Sequence, residues 1–456
     1  MIHKYTQTGL NIVLDVNSGA VHVLDRLAYR ILDFLRPPLG RQPPASLKTA
    51  LEKEYPAADI AEAYAELYTL FEEGQLFAED AYDSLADKLG PSPVKALCLN
   101  ISHDCNLRCA YCFAGKGVYS GGRALMSEET GKKAIDYLIS HSGGRKSLEV
   151  DFFGGEPLLN FDVIRAVVAY AKERGKETGK YFRFTVTTNG LLLDDEKTEY
   201  LNCEMNNIVL SLDGRRDVND RVRVHADGTG CYDDIVPKFQ KLVAGRKGEY
   251  YLRGTFTGYN KDFAEDVLAL YALGFDQISV EPVVADPSRP YALRGEDLPD
   301  IFAEYERMAG ILLKERKSGG GLNFFHFMID LAQGPCAIKR LRGCGCGNEY
   351  LAVTPEGDVY PCHQFTGQEA WKMGSIYGGT LDINKKAYFA RCTVYQKPDC
   401  RECWAKFYCS GGCGANNYIY EGDVCKAHTL SCEMEKKRLE CAIAIKAAQM
   451  IKEDAT

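Results

Sequence analysis

Residues 101–117, ISHDCNLRCAYCFAGKG, place Cys105, Cys109 and Cys112 in one short loop, with three residues between the first two thiols and two between the second pair. The loop follows an apolar run, ALCLNIS (96–102), which reads as a buried strand. Structural zinc takes four ligands, usually as two close pairs, and neither Cys98 nor His103 stands at a natural spacing for a fourth. A 4Fe-4S cluster normally takes four thiolates, so three leave one iron able to bind something else. The loop is read as the three-thiolate holder of such a cluster, with zinc as the competing reading.

The same apolar run opens a regular series. ALCLNIS, SLEVDFF, FRFTVTT, NIVLSL, YYLRGTF and DQISVEP are candidate strands between 95 and 285, and helical stretches separate most of them. SEETGKKAIDYLISHS begins with Ser127 as N-cap; NFDVIRAVVAYAKERG sets Val163, Ile164, Val167, Val168 and Ala171 on one face and is expected to end at Gly175. Consecutive βα units predict a parallel sheet, curled by right-handed crossovers toward a full or partial barrel with its site at the carboxyl ends of the strands. The unusual residues fall in the loops at those ends: the three-cysteine loop, then GGEP (154–157), TNG (188–190) and SLDG (211–214). Each glycine-rich loop alone is ordinary turn chemistry. Together at one rim they predict one site.

The cysteine spacing, with the aromatic Tyr111 and the companion loops, resembles the radical SAM superfamily. That resemblance implies an α/β fold built on a partial (β/α)6 barrel, and S-adenosylmethionine bound through its amine and carboxylate to the open iron. It also implies reductive cleavage to a 5′-deoxyadenosyl radical, chemistry that belongs to the cofactor. The cofactor-binding positions it implies are Tyr111, Gly154, Gly155, Glu156, Asn189, Ser211, Asp213 and Arg223. GGEP would meet the methionine amine, and Asn189 and Ser211 would face ribose and carboxylate. For Arg223 a solvated surface position competes.

Composition sets the outer bounds. With 456 residues, 46% of them hydrophobic, the chain can bury more than one core, and its net charge of −8 argues against phosphate-backbone binding, so no nucleic-acid partner is expected. No stretch approaches the roughly 20 consecutive apolar residues of a membrane span. MIHKYTQTGL lacks the basic-then-apolar layout of an export signal. A cytoplasmic protein without a membrane partner is expected. In a reducing compartment structural disulfides rarely persist, so the 18 cysteines are read as metal or cluster ligands first.

None of those cysteines lies in residues 1–90. There GLNIVLDVNSGAVHVLD reads as a hairpin about Asn17-Ser18-Gly19, and RLAYRILDFL and IAEAYAELYTLFEEGQLF read as helices, with a short apolar strand to close a winged-helix-like module. DSLADKLGPSPVK, with Pro91 and Pro93, reads as a linker. The expected division is 1–90, a barrel over 91–300, a helical connection over 301–335, and a cysteine-rich domain over 336–456.

Twelve cysteines, beginning with Cys336, crowd that last part. Cys346 precedes Gly357 and Cys362; Cys400, Cys403, Cys409 and Cys413 follow with two, five and three residues between them; Cys432 comes after. This order resembles the SPASM extension of radical SAM enzymes, for which zinc ribbons are the alternative. The resemblance implies two auxiliary 4Fe-4S clusters, the second held by Cys400, Cys403, Cys409 and Cys432, the first by Cys346, Cys362 and Cys413. Cys344 is either the fourth ligand of the first or a free neighbour of an open iron. The open iron is preferred, since the single Gly345 permits a tight turn without requiring one. Cys425 competes with Cys432. Cys98, Cys203, Cys231 and Cys441 are read as small buried residues. TPEGDVYPCHQF is read as a hairpin turning at Pro355 to Asp358, a scaffold for the first auxiliary set.

Across nearly its whole length the chain is most similar to the maturases of SCIFF precursors, peptides with six cysteines in forty-five residues. The resemblance implies a radical enzyme with three 4Fe-4S clusters that installs thioether crosslinks in a cysteine-rich precursor peptide. The peptide's leader would add a strand to the edge near AVHVLD, and an electron donor such as ferredoxin or flavodoxin would supply the reducing electron. A sulfatase-maturing enzyme, oxidising Cys or Ser to formylglycine with the same clusters, is the nearer alternative. A non-catalytic zinc or redox-sensing protein is the farther one.

Overall fold

In the computed structural model, which describes residues 1–119, 122–331 and 337–453, the chain opens with a strand that apolar spacing does not reveal. Ile2–Gln7 (β1) pairs antiparallel with Leu10–Asp15 (β2), and β2 pairs with Val21–Leu24 (β3). The hairpin turn falls where expected: Asp15 accepts from both the N–H and the hydroxyl of Ser18 at 2.9 Å, and Gly19 takes a φ of +79°. Helices Arg26–Ile31 and Ala57–Glu72 lie at the predicted places, and Ala45–Leu51 adds a third. Among the described residues no strand follows these helices to close the unit; β1, at the chain start, completes the three-stranded sheet instead.

The alternation of β2 decides how this module sits. Val13 joins Ile31, Leu47, Ile60 and Tyr64 in a core with the module's own helices. Ile12 and Leu14, pointing the other way, pack with Leu341, Val394, Phe407 and Ile443 of the cysteine-rich part. Polar contacts reinforce that seam: His3 stacks on Trp404 at 3.8 Å, Tyr5 donates to the Glu440 carbonyl at 3.1 Å, and Lys406 pairs with Asp80 at 2.9 Å. The outer edge of β3 stays unpaired among the described residues.

The six candidate strands form the barrel in chain order: Ala96–Ser102 (β4), Ser147–Gly154 (β5), Tyr181–Thr188 (β6), Asn207–Ser211 (β7), Glu249–Phe256 (β8) and Gln277–Pro282 (β9), all parallel. Ser127 caps helix Glu128–His141 through Thr130 N–H at 3.0 Å. Helix Phe161–Thr178 runs past its expected end, and the left-handed residue that stops it is Gly179, at φ +68°. Gly175 lies inside that helix for packing, since a Cβ there would stand 2.6 Å from the Lys180 carbonyl.

Asn323–Phe324 (β10) extends the sheet beyond β9, following helix Leu298–Lys317. At the opposite edge the cysteine-rich part joins the same sheet. Tyr350–Val353 (β11) pairs parallel with β4, and Asp358–Tyr360 (β12), Gly374–Ser375 (β13) and Thr380–Leu381 (β14) continue antiparallel, giving eleven strands. The turn between β11 and β12 is the predicted one, with Gly357 at φ +87°. Cys336 lies outside the described residues. Among the described residues no helix is long and apolar enough to cross a membrane.

Removing residues 1–85 would uncover Leu341, Val394, Phe407 and Ile443, where each large apolar side chain is worth about 1.5–3 kcal/mol when fully buried. The truncated protein is therefore expected to melt well below the full chain and to bind a hydrophobic dye. An unchanged Tm in calorimetry would show the seam to be dispensable.

Candidate active site

The three-cysteine loop is held from two sides. On one, Gly155 N–H donates to the Ser102 carbonyl and Glu156 N–H to the Asp104 carbonyl, each at 2.8 Å. These contacts need glycine: a Cβ on Gly154 would stand 2.3 Å from the Ser102 oxygen, and one on Gly155 would stand 2.1 Å from the Asp104 oxygen. The glycines of GGEP thus serve close approach of two backbones. On the other side Arg108 and Ala110 N–H donate to the carbonyls of Val224 and Val222 at 2.8 Å.

Arg223, between those two carbonyls, is 8% exposed, which overturns its surface reading. Its Nε donates to Asp213 at 3.0 Å, the Tyr111 hydroxyl donates to the same carboxylate at 2.6 Å, and Thr255 N–H reaches the other oxygen at 3.0 Å. Arg223 Nη1 lies 4.0 Å from Cys109 Sγ. Asn189 Nδ2 donates to Asn106 at 2.8 Å and lies 3.7 Å from Cys105 Sγ. Burial raises the Cys105 thiol to about 11 and, with Arg223 opposing it, the Cys109 thiol to about 12. Such thiols become thiolates by binding a metal charge, and three of them in one loop fit a cluster's donor set.

A cavity of about 960 Å³ runs from Cys105, Cys109 and Cys112 to Cys413 and on to Cys409 and Cys432. Tyr111, Gly154, Gly155, Asn189, Ser211 and Arg223 line it. Glu156 and Asp213, both fully buried, are not among its lining residues and tie the rim loops together. Glu156 accepts from Thr188 Oγ1 at 2.7 Å, Asn189 N–H at 2.8 Å and Leu158 N–H at 3.0 Å. The wall also carries the Arg253–Glu281 ion pair, His326 and His363, none of which motif spacing singles out. Their one sequence signal is position: the pair lies in the carboxyl halves of strands β8 and β9, and His363 directly follows Cys362.

The auxiliary cysteines fall into two groups. Cys400, Cys403, Cys409 and Cys432 all line a smaller cavity of about 140 Å³. Cys425 is elsewhere, in a disulfide with Cys392; it does not compete with Cys432, and the bond departs from the expectation that such crosslinks are absent. In the other group the thiols of Cys346 and Cys362 interact directly enough to couple their titration, with Cys344 and Cys413 in electrostatic reach. Gly343, Gly345 and Gly347 take φ of +69°, +78° and +69°, so left-handed residues flank both Cys344 and Cys346 in the tight turn that one glycine only permitted. Cys98, Cys231 and Cys441 are buried as expected, whereas Cys203 is exposed, because helix Asp195–Glu204 buries little besides Leu201.

Burial raises the Glu156 carboxyl from 4.5 to about 7. Between those values the unfolded chain has lost this proton and the folded chain keeps it, so stability falls as pH rises, by about 1.4 kcal/mol per unit. Glu156→Gln has no such proton. Its Tm relative to the wild type is expected to climb from pH 4.5 to about 7 and to be level on either side; a flat difference would show that Glu156 is ionised throughout.

Residues 99–275 match the radical SAM superfamily, and residues 344–404 match the SPASM iron–sulfur cluster-binding domain. A cysteine-type anaerobic sulfatase-maturating enzyme of Clostridium novyi is 24% identical over 69% of this chain and 86% of its own. The solved structure of anSMEcpe with bound AdoMet and Cp18Cys peptide superposes with a TM-score of 0.66 at 20% identity, over 79% of this chain and 99% of that one. Streptococcus suis SuiB bound to precursor peptide SuiA gives a TM-score of 0.52 at 17% identity, over 94% of this chain and 98% of that one. The glycine-locked three-cysteine loop on the parallel barrel thus falls within a radical SAM domain, and the cysteine-rich part built onto the barrel's edge holds a SPASM domain.

Proposed function

We propose that this enzyme installs thioether crosslinks in a ribosomally made, cysteine-rich precursor peptide. The observation that carries the reading is the free outer edge of β3, on a module packed into the same core as the auxiliary cysteines. An extended leader can add a strand there, main-chain hydrogen bonds giving affinity and side-chain pockets specificity. The likeness to SuiB extends over 94% of the chain and so takes in most of this module, whereas the likeness to anSMEcpe extends over 79%. That difference favours a leader-guided peptide over the sulfatase-maturing alternative.

When bound, S-adenosylmethionine and three 4Fe-4S clusters supply a hydrogen-abstracting radical and an electron sink. Cys105, Cys109 and Cys112 would hold the first cluster, Cys400, Cys403, Cys409 and Cys432 the second auxiliary one. The gathering of Cys344 with Cys346, Cys362 and Cys413 supports four-thiolate ligation of the first auxiliary cluster, in place of the open iron, and hence a role in electron transfer. Joining sulfur to carbon removes one hydrogen from each. Burial lowers the pKa values of His326 and His363 on the cavity wall to about 4, so both are neutral imidazoles and weak bases.

Anaerobically reconstituted protein is expected to hold about twelve irons, and replacing Cys105, Cys109 and Cys112 by Ala to remove about four together with deoxyadenosine formation. Cys344→Ala is expected to lose the first auxiliary cluster; retention of all three would restore the open iron. With a cysteine-rich precursor peptide, the product should lose two hydrogens per crosslink and keep its sulfur, as mass spectrometry reads directly. Loss of sulfur would mean formylglycine, and zinc in place of iron would end the radical reading. Val23→Pro on the free edge is expected to raise KM for full-length precursor and leave peptide-independent cofactor cleavage unchanged.

A further inference from the structure

The buried cation Lys397 has no carboxylate to answer it among the described residues. Lys397 is 4% exposed, and its Nζ donates to the Gly411 carbonyl at 2.7 Å. No carboxylate of the described residues pairs with it. Lys406, equally buried at 4%, does have a carboxylate: it pairs with Asp80 at 2.9 Å and donates to the Arg401 carbonyl at 3.2 Å. A buried ammonium bonded to one neutral carbonyl is costly unless something negative stands nearby.

Cysteines of both auxiliary groups lie within electrostatic reach of Lys397: Cys400 and Cys409 of one, Cys413 and Cys344 of the other. Its hydrogen-bond acceptor is equally central. Gly411 is the midpoint of Cys409-Ser410-Gly411-Gly412-Cys413, the link by which the chain passes from one group to the other. Ser410, Gly411 and Gly412 take φ of +57°, +84° and +71°, three left-handed residues in succession. Asn417 Nδ2 shares the Gly411 carbonyl at 3.4 Å. The ammonium therefore pins the crossing between two sets of four thiols, and a cluster ligated by four thiolates is a net anion.

We propose that Lys397 is the shared counter-charge of the two auxiliary clusters, a positioning residue that fixes the Cys409–Cys413 link and raises the reduction potential of both. The inference rests on the two-auxiliary-cluster reading above. Reduction adds negative charge to a cluster, and a fixed cation nearby favours it; charge and hydrogen bonding around the sulfurs are the protein's means of setting such potentials. One ammonium between both sites moves them together, which keeps the step between them near balance while an electron leaves the substrate.

The test uses full-length protein reconstituted anaerobically as wild type, Lys397→Met and Lys397→Arg, with iron and sulfide counted before an EPR-monitored redox titration. Expected are unchanged iron in all three, a shift of both auxiliary signals to lower potential in Lys397→Met, wild-type potentials in Lys397→Arg, and an unmoved signal from the cluster at Cys105–Cys112. Auxiliary iron lost in Lys397→Met and kept in Lys397→Arg also supports the counter-charge. Full iron with unmoved potentials in Lys397→Met overturns it, as does equal iron loss or equal shift in both variants. A wild type with only about four irons fails the cluster reading itself, whatever Lys397 does.

Discussion

The pairing of β4 with β11 is the constraint on which the rest of the molecule depends. On one side β4 is bound to β5, and the two strands end in loops locked backbone to backbone through Gly154 and Gly155. On the other side β4 is bound to β11, whose flanks carry Cys346 and Cys362. A single strand, buried along all seven of its residues, therefore joins the cysteine loop to the part of the chain that carries Cys346 and Cys362. Parallel pairing between residues so far apart in sequence has no local turn to set its register, so register rests on what the strand buries.

Charge is handled in the same spirit at each depth. Around the three-cysteine loop, Arg223 and Asp213 neutralise one another while Tyr111 fixes the carboxylate, so the loop's outer wall is polar yet satisfied. At the seam with the front module, Lys406 is matched by Asp80. Between the auxiliary groups no carboxylate of the described residues pairs with Lys397. These differences follow the chemistry expected at each place: ligand shells need their counter-charges in the cluster, and packing seams need theirs in the protein.

Much of this was legible in the residues. The six barrel strands are apolar runs long enough to declare themselves. What periodicity hid has physical reasons. In β1, IHKYTQ, polar side chains interrupt an edge strand, and β11, YLAV, is four residues whose partner lies some 250 positions earlier. Gly175 looks like a helix stop and is a packing site, because its neighbours exclude a side chain. Arg223 looks like a surface residue, since nothing in its own segment reveals Asp213 folding over it. The Cys392–Cys425 pairing, 33 residues apart, depends on tertiary contact alone.

The split allegiance of β2 has a consequence for substrate geometry. With Val13 in one core and Ile12 and Leu14 in another, the front module cannot swing as a tethered lid; it is riveted to the wall that carries the auxiliary cysteines. A peptide paired with β3 would therefore be measured from a fixed origin. Each residue of extended chain advances at most about 3.3–3.6 Å, so the number of residues between the anchored segment and a target, rather than the identity of the target, would select which position reaches the reacting end of the cavity. The module would act as the zero mark of a ruler.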